Sequence, residues 1–301
     1  MVSVIIILTA SIFFMGIVVR TKSLASGRKG PGVLQPVKDI IRLLRKGSVF
    51  STTTSFIFRI APSVYLASIL MAVLMLPHGN LPGLISFEGD FVMFAYILGL
   101  GKFVMIIASL DTGSSFEGMG ASREALFSML VEPAFFIVMG SLALFTGHSS
   151  FYDIFNSLHF GSHISYLIGG LAAFVLLFVA MVENSRMPVD DPKTHLELTM
   201  IHEVMVLDNS GFDLGMIMYA APLKFVMYGA IIANFFIGGL PLHWSVPVFF
   251  AVQVIFAVTI GLFESFMARF RMGHNPQFIF ILTSVSLLIF FGVLLVLGKF
   301  N

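Results

Sequence analysis

The chain has 301 residues, of which 57% are hydrophobic and 11% are charged, and its formal net charge at pH 7 is +1. Soluble domains carry about 25% charged residues, so this composition excludes an ordinary soluble enzyme and indicates an integral membrane protein built of helices. The near-zero net charge gives no support for nucleic-acid binding, and the lack of cysteine excludes disulfides and thiolate-bound iron–sulfur clusters within the chain.

Apolar runs of the length that crosses a bilayer, about 20 residues, predict eight membrane spans. Their approximate ranges are 2–19, 60–77, 91–110, 125–146, 164–182, 214–238, 245–263 and 277–298. The first run lacks the basic residues and the cleavage site of a signal peptide, so we expect it to be a retained span. No repeat or linker divides the sequence, and we therefore predict one all-α transmembrane domain over residues 1–301.

Basic residues indicate how the spans are oriented. The segment 20–59 carries nine Lys and Arg residues, and the connections after the third, fifth and seventh spans carry five more. The connections near 78–90, 147–163 and 239–244 carry none. We therefore expect the basic connections to face the cytoplasm and both termini to face the outer side.

The segment 28–46 begins with a Gly-Pro-Gly turn that stops the first span. After Pro36, apolar residues at 37, 40, 41 and 44 form one stripe, which predicts a short basic amphipathic helix at the membrane interface. Such a helix is either an anchor that binds anionic membrane lipid or a docking surface for a cytoplasmic partner. The turn favours docking, because an anchor does not need it. The residues assigned to docking are Arg28, Lys29, Gly30, Pro31 and Gly32.

The third connection contains a Gly/Ser-rich stretch that we interpret as a turn. It carries Asp111, Glu117, Arg123 and Glu124, of which Asp111 and Glu117 are assigned to partner docking. Glu132 follows about two turns into the fourth predicted span. An ionisable group inside a span is costly and therefore indicates function. Two interpretations stay open together: a structural ion pair of Glu132 with Lys102 or Lys224, and a place in a proton relay.

The fifth connection, 183–213, is the most highly charged stretch of the sequence and carries seven of the sixteen carboxylates. We predict an amphipathic helix from His195 to Leu207, in which His195 and His202 share one face. No HExxH spacing or third ligand supports a metal site. The stretch is suited to proton transfer or, alternatively, to docking a basic partner.

After the seventh span, Glu264 and Arg269 are predicted to lie on different faces of a helix, so we expect the partner of Glu264 to come from another helix.

Three stretches together resemble a known family. They are RKGPGVLQPVKDIIRLLRK (28–46), the run from Arg123 to Glu132, and ENSRMPVDD (183–191). The family is subunit 1 of respiratory complex I, the NADH–quinone oxidoreductase, with its homologues in energy-converting group 4 nickel–iron hydrogenases. LDTGSSFEGMGASRE, FESFMARFR and the short Gly-Pro-Gly turn are similar to the formate hydrogenlyase and hydrogenase-4 branch.

The resemblance implies a membrane anchor and coupling subunit of a redox-driven proton or sodium pump in the cytoplasmic membrane of a prokaryote. The implied partners are hydrogenase-like large and small subunits, an iron–sulfur subunit and antiporter-like membrane subunits, with the nickel–iron centre and iron–sulfur clusters in those partners. This chain is expected to bind no metal or cofactor and to hold no catalytic residue. The proton-relay positions are Glu132, Glu183, Asp190, Glu197, Asp208, Lys224 and Glu264, supported by Arg123 and Arg186.

The sequence departs from the family pattern after Asp190, because Lys193 and His195 stand where the family carries acids. No role is assigned to Lys193, His195 or His202. One alternative is a quinone-binding subunit of a complex I-type NADH dehydrogenase, against which the short Gly-Pro-Gly turn argues. Another alternative is a stand-alone transporter or channel, which paired broken helices and internal repeats would have indicated.

Overall fold

The computed structural model describes residues 2–159, 163–190 and 200–298. Within these ranges the chain forms eleven α-helices and no β-strand, and eight of the helices are long and apolar enough to cross a membrane, which confirms the predicted fold class and number of spans. The helices are α1 (Val2–Ala25), α2 (Gln35–Leu44), α3 (Phe56–Met75), α4 (Asp90–Asp111), α5 (Ser115–Thr146), α6 (Phe151–His159), α7 (His163–Glu183), α8 (His202–Met205), α9 (Gly211–Ile237), α10 (Leu242–Phe266) and α11 (Asn275–Val296).

The helix α9 lies at the centre of the bundle. Within its most apolar 18-residue window, 83% of the residues are buried, against 28 to 61% in the other spanning helices. It packs against α1, α3, α7 and α10, while α5 packs against α4, α7 and α11. Because α9 is enclosed, a charged side chain on it has to find its partners inside the protein.

The segments rich in Lys and Arg gather at one end of the bundle, which we call the basic side. The predicted amphipathic helix is present there as α2, with Pro36 in its first turn. Its Ile40 is buried, and its Leu44 packs closely over Gly215 at the start of α9. Arg20 donates a hydrogen bond of 3.1 Å to the carbonyl of Gly30, which holds the Gly-Pro-Gly turn against α1.

The start of α5 corrects the predicted Gly/Ser-rich turn. The helix begins at Ser115 rather than near residue 125, so Glu117, Arg123 and Glu124 are helical and the turn is limited to 112–114. The glycines do not break the helix, because Gly120 is needed for packing: a Cβ there would lie 2.8 Å from the carbonyl oxygen of Ile201. Tertiary contact therefore outweighs the weak helix propensity of glycine.

The helix predicted from His195 to Leu207 is found only in part. Residues 200–207 contain helix only at His202–Met205, and the first part of the predicted range lies outside the described residues.

The helix α6 was not predicted. Its first amide, that of Phe151, donates a hydrogen bond of 2.7 Å to the buried carboxylate of Asp90, which stabilises the start of the helix.

The opposite side of the bundle is closed by the loop after α3. The side chain of Asn234 in α9 accepts a hydrogen bond from the Gly79 amide and donates one to the Pro77 carbonyl, both at 3.0 Å. His78 is 2% exposed and lies 3.1 Å from the hydroxyl of Ser245. Burial lowers the pKa of His78, so the imidazole is neutral at pH 7.

Candidate functional site

Four charged side chains from four helices meet inside the bundle near the basic side. Lys102 of α4 lies 3.3 Å from Oε1 of Glu124 in α5 and 3.0 Å from Oε2 of Glu183 at the end of α7. Lys224 of α9 lies 2.9 Å from the same Oε2 of Glu183 and donates a second hydrogen bond, of 2.6 Å, to the Glu183 carbonyl. All four side chains are buried. We call Lys102, Glu124, Glu183 and Lys224 the central cluster.

The electrostatics of the central cluster depend on the balance between its positive and negative charges. Two carboxylates and two ammonium groups alternate, so the formal charge is zero. Removing an ion from water costs several kcal/mol, and only close partners offset that cost. A proton added to either carboxylate leaves one ammonium group without its full compensation. A change in the protonation of either carboxylate would therefore change the ionic contacts among the four helices.

The turn that follows α7 brings a hydroxyl to this cluster. Ser185 has a φ of +48°. Its amide donates to the Val182 carbonyl at 3.0 Å, and the Arg186 amide donates to the Met181 carbonyl at 2.9 Å, which is the Schellman pattern of a helix end. In this conformation the Ser185 hydroxyl donates a hydrogen bond of 2.8 Å to Oε2 of Glu124.

A second ion group lies beside the first and contains two of the predicted site residues. Arg186 donates to Oε1 of Glu264 at 3.1 Å, and Lys22 lies 3.5 Å from Oε2 of the same carboxylate. The Arg186 guanidinium also lies over the ring of Phe225, 5.4 Å from its centre. The expectation that Glu264 pairs with another helix is confirmed, since Lys22 belongs to α1 and Arg186 follows α7.

Asp190, another predicted relay residue, is fully buried and fixes the loop on the basic side. Its Oδ1 lies 2.9 Å from Arg269, and its Oδ2 accepts hydrogen bonds of 3.1 Å from the amides of Ile201 and His202. Arg123 adds a hydrogen bond of 3.1 Å to the Met200 carbonyl. These contacts hold residues 190 and 200–202 together. Glu197, with Lys193 and His195, lies outside the described residues.

Glu132 occupies a different environment from the one expected. Lys102 and Lys224 both pair with other carboxylates, and Glu132 forms no ion pair within the described part of the chain. It is exposed on the outer face of α5. A cleft of about 20 Å³, lined by Glu132, Lys102, Glu183 and Tyr228, connects it with the central cluster. That volume is enough for one water molecule.

A larger cavity of about 340 Å³ opens between α1, α2, α9 and the turn after α7. Its lining is apolar at Met15 and Ile40 and polar at Ser185, Arg186 and His202. We call it the basic-side cavity. His202 is half-buried, and burial lowers its pKa, although the carboxylate of Glu124 opposes that effect. The imidazole is therefore neutral at pH 7.

The residues assigned to docking have different surroundings. Arg28, Lys29, Pro31 and Gly32 are exposed, whereas Gly30 and Asp111 are partly buried. Asp111 accepts a hydrogen bond of 2.7 Å from the Ser55 amide at the start of α3. Glu117 is fully buried and accepts one of 3.0 Å from the Asp208 amide, so its influence on a partner would be indirect.

Three of the predicted relay residues lie outside the central cluster. Asp190 pairs with Arg269, Glu264 belongs to the second ion group, and Asp208 is exposed. The described residues also contain no group of three or more side chains that could hold a metal ion. The structure thus brings together Glu183 and Lys224 of the predicted set.

Glu124 and Ser185 were missed by sequence reasoning. Glu124 was assigned to a turn, and a helix through 115–124 would have placed it on α5, eight residues before Glu132. Ser185 gave no signal, because its left-handed backbone conformation is not visible in the sequence. Lys102 was considered only as a partner of Glu132, although its position inside a span already indicated that it needs a carboxylate.

Comparison with known proteins places the chain in a family. The chain is 29% identical over 261 residues to formate hydrogenlyase subunit 4 of Escherichia coli K12, covering 83% of each chain. It is 30% identical over 233 residues to hydrogenase-4 component C of the same organism, covering 77% of this chain and 73% of the relative. A chain in the structure of the membrane-bound sulfane sulfur reductase, an archaeal respiratory membrane complex, superposes with a TM-score of 0.83 at 20% identity, over 96% of both chains. The NADH dehydrogenase family matches residues 1–295, and the chain therefore belongs to that family, as its motifs predict.

Proposed function

We propose that this chain is the membrane coupling subunit of a multisubunit redox-driven proton or sodium pump. It would seat a hydrogenase-like peripheral arm on the basic side and pass changes of charge to antiporter-like membrane subunits. The observation that carries the proposal is a continuous set of buried polar contacts from the basic-side cavity through Ser185, Glu124, Lys102 and Glu183 to the cleft beside Glu132.

In this proposal the basic-side cavity is the end that receives the change of charge, and Glu132 is the end that passes it on. On the basic side, the cavity and the exposed Arg28 and Lys29 provide a polar surface for a peripheral partner. At the other end, Glu132 is exposed in the middle of a spanning helix, where contact with lipid would be costly for a carboxylate. A neighbouring membrane subunit that covers Glu132 would remove that cost and receive the proton.

The partners and their cofactors are proposed from the relatives. The names formate hydrogenlyase subunit 4 and hydrogenase-4 component C support a multisubunit hydrogenase complex around this chain. We propose hydrogenase-like large and small subunits and an iron–sulfur subunit as its partners. The chain has no cysteine, so the iron–sulfur clusters and the nickel–iron centre would be held by those subunits. The bacterial relatives support a prokaryotic cytoplasmic membrane, and the distribution of basic residues supports an orientation in which the basic side faces inward.

The test is a glutamine scan in the assembled complex. Glu183→Gln removes the carboxylate that both lysines share, and Glu132→Gln removes the exposed end of the path. We expect each variant to keep redox turnover in detergent and to lose most ion uptake per electron in sealed liposomes, followed with a fluorescent pH-gradient dye and a sodium electrode. Glu88→Gln, on the exposed opposite side, is the matched control and is expected to pump normally. Full pumping by both site variants would refute the proposal.

The basic-side cavity favours a second candidate, a quinone-binding subunit. Its volume of about 340 Å³ lies within the range of about 300–1,000 Å³ that is typical of small-molecule sites, and its lining is mostly apolar with a few polar groups. A short-chain ubiquinone added to the assembled complex distinguishes the two functions. If the quinone accepts electrons, and Met15→Trp in the cavity wall blocks that activity, the second candidate is correct.

A further inference from the structure

Ser185 is the point at which the basic-side cavity and the central cluster meet. The residue lines the cavity, and its hydroxyl donates a hydrogen bond of 2.8 Å to Oε2 of Glu124. It is itself only 4% exposed. A hydroxyl has one donor and two acceptor sites, so while it donates to Glu124 it can still accept a hydrogen bond from a group in the cavity.

The backbone indicates that the side chain of Ser185 has a specific role. The φ of +48° lies in the left-handed region, where residues other than glycine are disfavoured by about 1–2 kcal/mol. The two hydrogen bonds of the turn, to the carbonyls of Val182 and Met181, define Ser185 as the position after the helix that glycine usually occupies. Glycine would form the same turn without that cost, so the turn alone does not account for a serine.

We propose that the Ser185 hydroxyl is a proton-relay residue that connects the basic-side cavity with Glu124. A hydronium ion in the cavity water donates a proton to a lone pair of Oγ, and the proton already on Oγ moves to the carboxylate of Glu124. One O–H bond forms and one breaks on Ser185, the hydronium ion becomes water, and Glu124 becomes neutral. This inference rests on the proposed function, since it names the entry point of the same path.

Neutral Glu124 changes the balance of the central cluster. Lys102, which lies 3.3 Å from Glu124 and 3.0 Å from Glu183, then interacts mainly with Glu183. Glu183 would have two ammonium groups as partners and no competing carboxylate. Protonation from the cavity would therefore change the electrostatic environment of Glu183. The hydroxyl therefore supplies the step between a soluble proton and the buried ion pairs.

Two substitutions separate proton relay from support of the turn. Ser185→Gly removes the hydroxyl and relieves the backbone, which offsets much of the loss of the hydrogen bond to Glu124, so the complex is expected to assemble normally. Ser185→Asn tolerates the left-handed conformation and keeps a donor for Glu124, but an amide does not relay protons. Ser86→Gly, in an exposed loop on the opposite side, is the matched control.

Ion uptake per electron is expected to fall about tenfold or more in both Ser185→Gly and Ser185→Asn, with normal co-purification of the partner subunits. The solvent deuterium isotope effect on uptake is expected to rise, because proton entry becomes rate-limiting, and a purely structural residue would not change it. Native uptake in either variant would overturn the inference. If Glu183→Gln abolishes uptake while Ser185→Gly retains it, only this inference fails; if Glu183→Gln also pumps normally, the proposed function fails as well.

Discussion

Glu183 connects the two halves of the central cluster, because its Oε2 lies 3.0 Å from Lys102 and 2.9 Å from Lys224. Lys224 is further fixed by its hydrogen bond to the Glu183 carbonyl, which α7 leaves free at its end. Lys102 has no such backbone partner among the described residues and instead bridges two carboxylates. The two lysines therefore differ in role: Lys224 anchors the end of α7, and Lys102 responds to the charge of Glu124 and Glu183.

Replacement of Lys102 tests how much of the stability depends on charge balance. In Lys102→Met the apolar stem is retained, but Glu124 and Glu183 share only one remaining ammonium group. Loss of one partner of a buried ion pair typically costs about 3–5 kcal/mol. We expect a loss of that size in the free energy of unfolding, measured by thermal denaturation of the purified chain in detergent.

The double variant Lys102→Met with Glu124→Gln is the control for that experiment. It restores a neutral cluster of Glu183 and Lys224 and is expected to recover a large part of the lost stability. If the single variant is as stable as the native chain, or if the double variant is less stable than the single one, the two carboxylates are not charged together in the folded protein.

The sequence predicted individual partners only where the helix geometry left no choice. The sequence interpretation treated Glu264 and Arg269 as parts of one helix and therefore expected a partner for Glu264 from elsewhere. The helix α10 ends at Phe266, so Arg269 is not helical, but the expected partners are present as Lys22 and Arg186. For Glu132 the sequence offered two lysines at suitable depth. The sequence does not show which face of α5 each carboxylate occupies relative to α4 and α9. In the structure Glu124, rather than Glu132, pairs with Lys102.

At the scale of elements, the contact of α5 with α8 places Glu124 beside the cluster. Gly120 lies at this contact, where a Cβ would approach the Ile201 carbonyl oxygen to 2.8 Å and would also overlap the side chain of Val204. The backbone of Ile201 is held by Asp190 and does not move freely. The close contact between α5 and α8 therefore requires glycine at position 120.

Gly120→Ala is expected to lower the free energy of unfolding by about 1–3 kcal/mol, because overpacking outweighs the better helix propensity of alanine. Gly118→Ala is the matched control in the same helix, since its Cβ would meet only Leu110, at an ordinary 3.9 Å. The control is expected to be neutral or to stabilise the chain by up to about 1 kcal/mol. Thermal denaturation in detergent measures both, and equal effects of the two substitutions would contradict the role of Gly120.

Long apolar runs and the basic amphipathic stripe were sufficient to predict the spans and α2, because both are set by periodicity and by the thickness of the bilayer. The early start of α5 was not predictable in the same way. Its glycines are typical of a turn in the local sequence, whereas the close packing of Gly120 against Ile201 is a tertiary contact that the sequence does not show. Similarly, α6 depends on a hydrogen bond to Asp90, which lies 61 residues earlier in the chain.

For the whole molecule, the distribution of polar groups is asymmetric along the membrane normal. The central cluster, the second ion group, Asp190 and the basic-side cavity all lie towards the end of the bundle that carries α2. On the opposite side, Asn234 makes uncharged contacts with Gly79 and Pro77, and the buried carboxylate of Asp90 accepts hydrogen bonds from the Ser150 hydroxyl and the Phe151 amide. The larger cavity opens on the basic side. A water-filled cavity that does not extend across the bundle suits a coupling subunit, because a continuous aqueous path would let ions leak across the membrane.

The orientation of this asymmetry can be measured directly, because the native chain has no cysteine and each introduced one is unique. Lys46 on the basic side and His148 on the opposite side are both exposed. Since basic loops stay in the cytoplasm, a membrane-impermeant maleimide is expected to label His148→Cys in intact cells and Lys46→Cys only after permeabilisation.

Labelling in denaturing detergent is the control for reactivity, because a partner subunit docked on the basic side would also protect Lys46→Cys. The reverse pattern would place the cavity and the peripheral arm on the outer side, and a proton would then enter Ser185 from the outside rather than from the cytoplasm.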